Sequence, residues 1–282
     1  MNLVQATKTI FEKRFPMSLA SRSWDNVGLL IEAPTPRAQA PKVLLTIDLT
    51  TAVCREALAD PQVGMIVAYH PPIFRPLKQL TLADPKQSIL LQCVAKGVSV
   101  YSPHTAVDNN PDGNADWLAT CLQTPIAACE TILPCGDGAP GMELAGTGRL
   151  ITLAEPQPLS TLIHCIKQAL DLKYVRVGKS EKHWSKHADA DPIRTVAICA
   201  GSGASVLTQT RADLYFTGEM SHHEVLAATE SGTSVILCEH SNTERKYLSQ
   251  VMQPFLRSEF QNLQMAYDVV CSQSDRDPLE CA

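Results

Sequence analysis

A short plan occurs twice in this chain. Residues 97–101 (Gly-Val-Ser-Val-Tyr) and 232–235 (Gly-Thr-Ser-Val) each open an apolar run on a glycine. Each run leads to a histidine with a carboxylate four residues on: His104 with Asp108, and His240 with Glu244. The stretches upstream match as well. A strand over 42–47, a helix and a strand over 64–68 lead to His70. A strand over 195–199, a helix and a strand over 212–216 lead to His222. Continuous apolar runs of this length between helical stretches read as buried parallel strands. Right-handed crossovers bring the C-terminal ends of such strands to one sheet edge. The expectation is an α/β fold of two related lobes, produced by internal duplication, with a metal site in the cleft between them. The first lobe covers 1–125 and the second 126–282, with the C-terminal residues free to pack back on the first.

The residues at these strand ends are His70, His104, Asp108, His222, His223, His240 and Glu244, and they take five of the eight histidines. A scattered set would not collect there. If a helix starts at or just before His240, that residue and Glu244 share one face, a turn apart. Imidazoles and carboxylates without cysteine suit Zn, Mn, Fe or Co rather than a thiolate-bound structural zinc. The set suffices for two divalent ions about 3.5–4 Å apart sharing a carboxylate, an arrangement that activates water and stabilises an oxyanion. The reaction class is metal-assisted hydrolysis, with Glu244 and His104 as candidate catalytic residues. His222, His223 and Tyr69 are further candidates for ligation or support. Gly201-Ser202-Gly203 lies between a strand and a helix. It reads either as an anion-binding turn or as a plain tight turn. Trp24-Asp25-Asn26 reads as a loop over the cleft or a packed turn.

Composition removes other classes. The net charge of −5 leaves no general basic surface for nucleic acid, so no direct nucleic-acid binding is expected. The ten cysteines include no C-x2-C pair and several lie in apolar runs. They read as reduced, mostly buried thiols of a cytosol-like compartment. No apolar run approaches the ~18 residues of a membrane span. Residues 3–15 read as an amphipathic helix. Its Lys8, Lys13 and Arg14 imitate a mitochondrial presequence, so the expected location is cytoplasmic with the mitochondrion as the alternative. Residues 124–140 read as irregular and 179–191 as an exposed loop.

Six motifs in order then carry a resemblance: Ser-Trp-Asp-Asn-Val-Gly-Leu (23–29), Tyr-His-Pro-Pro-Ile-Phe (69–74), Ser-Pro-His-Thr-Ala-Val-Asp (102–108), Cys-Ala-Gly-Ser-Gly (199–203), Thr-Gly-Glu-Met-Ser-His-His-Glu (217–224) and Glu-His-Ser-Asn-Thr-Glu-Arg (239–245). Together they resemble the GTP cyclohydrolase type 2 homologues, or NIF-three-like proteins. The resemblance implies two α/β lobes, a dinuclear metal site and a ring-shaped homohexamer. By position it implies His70, Asp108, His240 and Glu244 as ligands, with Glu244 bridging. Many bacterial members have His-His where this chain has Tyr69-His70. The Tyr-His-Pro-Pro form resembles the eukaryotic branch, and the short middle implies that the inserted domain of larger members is absent. The family name implies hydrolysis of a nucleotide or another phosphorylated small molecule. Partnership with transcriptional regulators is the alternative that the resemblance brings.

Overall fold

The computed structural model describes residues 1–136, 139–184 and 191–280. They form two compact units. Unit 1 comprises residues 1–107 and 245–276, and unit 2 comprises residues 108–244 and the chain from Asp277 on.

Unit 1 opens with α1 (Leu3–Arg14), where the Asn2 side chain caps the helix by accepting the Gln5 N–H at 2.9 Å. Its apolar face of Leu3, Val4, Ile10 and Phe11 is buried, and Phe11 stacks on Tyr101 with ring centroids 5.0 Å apart. The apolar face of this helix is thus part of a core. Five strands form the sheet of this unit: β1 (Gly28–Ile31), β2 (Lys42–Thr46), β3 (Val63–Ala68), β4 (Ser99–Ser102) and, late in the chain, β11 (Asp268–Cys271). The spatial order is β1-β4-β3-β2-β11. Strands β2, β3 and β4 are parallel neighbours, β11 joins β2 in parallel, and β1 closes antiparallel on β4. Every residue of β3 is buried, as its unbroken apolar sequence requires of a central parallel strand. The crossovers are α2 (Thr51–Ala59), capped by Thr50, and α3 (Pro85–Ala95), capped by Asp84 with Pro85 at its first position.

Unit 2 repeats that core with a different surround. Its strands are β5 (Ile126–Pro134), β6 (Gly146–Gln157), β7 (Arg176–Gly178), β8 (Ile193–Ser202), β9 (Leu214–Glu219) and β10 (Ser234–Leu237), ordered β5-β6-β8-β9-β10-β7. Strands β8, β9 and β10 are the parallel trio, and β7 closes antiparallel on β10 as β1 does on β4. One side of the sheet buries α6 (Leu159–Leu170) through Leu159, Leu162, Ile166 and Leu170. Each such side chain contributes about 1.5–3 kcal/mol of burial.

Two local expectations change. Residues 126–134, read as irregular, form the edge strand β5, paired along β6. The strand is mostly exposed or half-buried, so it lacks the alternation that marks a strand by sequence. The expected loop over 179–191 starts with the short helix α7 (Glu181–Trp184), and residues 185–190 of it lie outside the described residues. His183 in α7 is fully buried. Its Nδ1 lies 2.7 Å from the Ser234 Oγ and its Nε2 lies 2.8 Å from the Asp191 carbonyl oxygen.

Candidate metal centre

In unit 1 the ladder between β2 and β3 continues past the strand end. Tyr69 N donates to the Thr46 carbonyl and His70 N to the Ile47 carbonyl, at 2.9 and 3.0 Å. This fixes the His70 backbone at the C-terminal edge of the sheet. His70 Nδ1 lies 3.1 Å from Asp48 Oδ1. Thr50, not Asp48, caps α2, which leaves the Asp48 side chain for His70.

His104 follows β4 with φ +35°, a left-handed backbone for a non-glycine residue. Its Nδ1 is 2.6 Å from Asp25 Oδ1, and the Asp25 side chain is fully buried. The other Asp25 oxygen accepts from the Thr105 hydroxyl and, at 3.3 Å, from the Thr105 N–H. Burial alone would raise the Asp25 pKa. The His104 hydrogen bond and charge, with Thr105 and the Asn26 N–H, outweigh burial and hold it below its ordinary value. The Trp24-Asp25-Asn26 turn is therefore a packed support for His104. The His70 and His104 rings lie edge to face at 5.3 Å, with the fully buried Tyr69 edge-on to both.

In unit 2, β9 ends on Glu219, and α10 (Asn242–Tyr247) starts two residues beyond His240. His240 Nδ1 is 2.8 Å from Glu219 Oε1, and His240 Nε2 is 3.7 Å from Glu244 Oε1. Glu244 is only 3 % exposed. The turn that presents them is internally bonded. Glu244 N donates to the Ser241 carbonyl, Thr243 Oγ1 donates to the His240 carbonyl, and Gly201 N donates to Thr243 Oγ1. Gly201 has φ +59°. A Cβ there would stand 2.7 Å from His240 Nε2 and 3.0 Å from Glu244 Oε1. The residue leaves room for the two ligand atoms.

Asp108 and Glu244 both act electrostatically on Cys199. Burial first, then the negative charges of Asp108 and Glu244, push the Cys199 thiol up to about 12. Cys238 is also raised, first by burial and then by Cys121 and Glu239. Neither sulfur is a thiolate at neutral pH, so neither is a nucleophile.

The remaining candidates stand apart. His222 and His223 are exposed on the first turn of α9 (His222–Glu230), which the Ser221/Glu224 capping box closes. In the Gly201-Ser202-Gly203 turn the amides of Gly201 and Gly203 are already given to Thr243 and Thr217. The helix after it, α8 (Ala204–Leu207), is a single turn. Sequence reasoning passed over Asp25, Asp48 and Glu219 as partners. All three lie in turns or at strand ends, but residue type alone does not tell a capping carboxylate from one that faces a histidine.

One pattern recurs in both units. His70, His104 and His240 each present Nδ1 to a carboxylate: Asp48, Asp25 and Glu219. An ionised carboxylate only accepts, so a neutral imidazole in this position carries its proton on Nδ1 and keeps the Nε2 lone pair. This is the arrangement that metal-bound histidines usually show. Fold and residues together describe a doubled α/β protein with histidine–carboxylate pairs at its strand ends.

The chain belongs to the Duf34/NIF3 (NGG1p interacting factor 3) family, whose model matches residues 2–278. It is 46 % identical to Protein NIF3 homolog of Schizosaccharomyces pombe over 281 residues, covering 99 % of this chain and 98 % of that protein. It is 39 % identical to NGG1-interacting factor 3 of Saccharomyces cerevisiae, covering 96 % and 94 %. With human NIF3-like protein 1 it shares 32 % identity, covering 92 % and 88 %. The fold matches the crystal structure of a Bacillus cereus protein related to NIF3 with a TM-score of 0.82, at 22 % identity and covering 100 % and 99 % of the two chains.

Proposed function

We propose that this chain is a divalent-metal-dependent hydrolase of a nucleotide or another phosphorylated small molecule. The ligands are His70, His240 and Glu244, with Asp108 completing the set. The group these residues would hold is two divalent ions per subunit, drawn from Zn, Mn, Fe or Co, with Glu244 contributing its carboxylate. The observation that carries it is the triple Nδ1–carboxylate pairing. It fixes three imidazoles in the tautomer a metal needs, and Gly201 leaves the space that a Cβ would fill. A divalent ion here would supply Lewis acidity and lower the pKa of water.

The protein's own groups do the rest. Asp48 and Glu219 orient His70 and His240. Asp25 holds the Nδ1 proton of His104, so that His104 Nε2 accepts a proton from the attacking water. Buried Glu244 keeps its carboxylate beside His240 Nε2. Tyr69 occupies the position of a histidine in many bacterial relatives, and its buried ring packs edge-on to His70 and His104 in place of an imidazole.

Metal analysis of purified protein, followed by a nucleotide and phosphoester panel, tests the reading. We expect about two ions per chain and hydrolysis of at least one substrate, both lost in His240→Ala. A metal-loaded protein that turns over nothing on the panel would overturn the hydrolase assignment.

Self-assembly as a hexamer and residence in the cytoplasm or mitochondrion belong to the same proposal. The name of the S. cerevisiae relative, NGG1-interacting factor 3, supports a protein partner as a second role. Among the described residues no helix is long and apolar enough to cross a membrane.

A further inference from the structure

The stretch Ser272-Gln-Ser-Asp-Arg-Asp277, near the C-terminal end, carried no motif in the sequence, yet it is densely bonded. In unit 1, Glu56 accepts from the Ser272 hydroxyl at 2.6 Å and from the amides of Gln273 and Ser274, both at 2.9 Å. Asp275, with its side chain 5 % exposed, accepts from Ile47 N at 2.8 Å and pairs with Arg245. In unit 2, Asp277 accepts from the hydroxyl of buried Ser241 at 2.6 Å, and its other oxygen accepts from Leu279 N at 2.9 Å.

The targets form a pattern. Ile47 precedes Asp48, which orients His70. Ser241 follows His240, and Arg245 follows Glu244. Glu56 ties the start of the segment to α2, and the three later anchors, Ile47, Arg245 and Ser241, each lie one residue from Asp48, Glu244 or His240. A general packing role would not select those three positions. Side chains that act on a metal must be held to within about 0.5 Å, and charge-assisted hydrogen bonds to the adjoining residues supply that restraint. The Ser241 turn needs it most, because its neighbour Glu239 sits in a left-handed conformation at φ +65°.

We infer that the 272–277 segment positions the metal ligands, with Asp277 holding the His240–Glu244 turn through Ser241 and Asp275 holding Arg245 and Ile47. The inference rests on the metal-centre reading above. Asp277 and Asp275 are positioning residues; neither is a ligand.

The test uses full-length protein and Co2+ as a visible probe. Wild type, Asp277→Ala, Asp277→Glu and, as a remote control, Asp268→Asn are titrated with Co2+ and melted metal-free. Asp268 forms an exposed pair with Arg257. The expected result for Asp277→Ala is about tenfold weaker Co2+ binding with a changed absorption band, the size usual for loss of a group that orients a ligand. Its metal-free melting temperature stays within about 3 °C of wild type, since of its two hydrogen bonds the exposed one from Leu279 N is replaced by water and only that from Ser241 is lost from a large chain. Asp277→Glu restores most of the affinity, and Asp268→Asn leaves it unchanged. If wild type binds Co2+ and Asp277→Ala binds it equally well with the same spectrum, the positioning role is overturned. A fall in affinity accompanied by a metal-free melting temperature lowered by about 8 °C or more would also overturn it, by reducing the segment to a general stabiliser. Failure of wild type itself to bind Co2+ would instead remove the metal-centre reading on which the inference stands.

Discussion

Single atoms decide what the centre can hold. Gly201 is the sharpest case, because it lacks the one carbon that would sit 2.7 Å from His240 Nε2. Gly201→Ala is expected to weaken metal binding more than about tenfold. It should also cost about 1–2 kcal/mol through its left-handed backbone. Metal titration beside thermal melting separates the two effects. Glu219→Gln keeps the shape of the side chain but removes the fixed charge on His240 Nδ1. Metal affinity should fall about 10–100-fold with little change in the metal-free melting temperature, and unchanged affinity would show that His240 needs no orienting partner. At this scale the histidines and Glu244 were legible as residue types collected at strand ends. Their partners Asp25, Asp48 and Glu219 were not. A carboxylate in a turn caps a helix, fixes the turn or faces a ligand equally well by sequence, and only side-chain direction separates these uses.

Elements are held by a few buried polar clamps. Asp213 precedes β9 and accepts from Arg194 N, Thr195 N and the Thr195 hydroxyl at 3.0–3.1 Å, with Lys182 at 3.2 Å. Burial opposes its charge, but the two amides and Lys182 outweigh burial and lower its pKa. A carboxylate lowered on folding stabilises the fold above its unfolded pKa of about 3.9. That contribution is lost as the pH falls through the lower folded value. Asp213→Asn should cost about 1–3 kcal/mol at pH 7 and much less near pH 2, measured by denaturant unfolding at both pH values. Arg149 is fully buried, bonded to Asp116 at 2.6 and 2.9 Å and to the carbonyls of Gly146 and Gly148. Arg149→Ala leaves Asp116 without its partner and should cost about 3–5 kcal/mol, with Arg149→Ala/Asp116→Ala recovering part of it. Equal stability of the single and double variants would count against the clamp. The parallel strands were legible because burial on both faces writes an unbroken apolar run. The edge strand β5 was not, since it is mostly exposed or half-buried and lacks the alternation that marks a strand. The helical stretch after Glu244 also widens into a π turn over Leu248–Met252, just before Pro254, whose ring removes one N–H from the α ladder.

At the scale of the whole molecule, metal binding and folding are linked, because ligands held apart in the unfolded chain gain nothing from the ion. Metal at about 100 times its Kd stabilises the bound form by about 2.7 kcal/mol. The melting temperature should therefore rise by about 5–10 °C with excess Zn2+ or Mn2+ and return on adding a chelator. His240→Ala should show no rise, and a rise of equal size in that variant would place the metal elsewhere. The sequence by itself determined the α/β class, the doubled strand–helix plan and the short set of imidazoles and carboxylates at the strand ends. Those follow from local periodicity and from residue type, which the chain carries without folding. The tertiary structure alone decided that residues 245–276 return to unit 1 to add β11 beside β2, and that three histidines each turn Nδ1 to a carboxylate. It also decided that the 272–277 segment bonds to Ile47, Ser241 and Arg245. Those depend on which distant atoms meet, and a hydrogen bond between Ser241 and Asp277 leaves no period in the sequence for a reader to find.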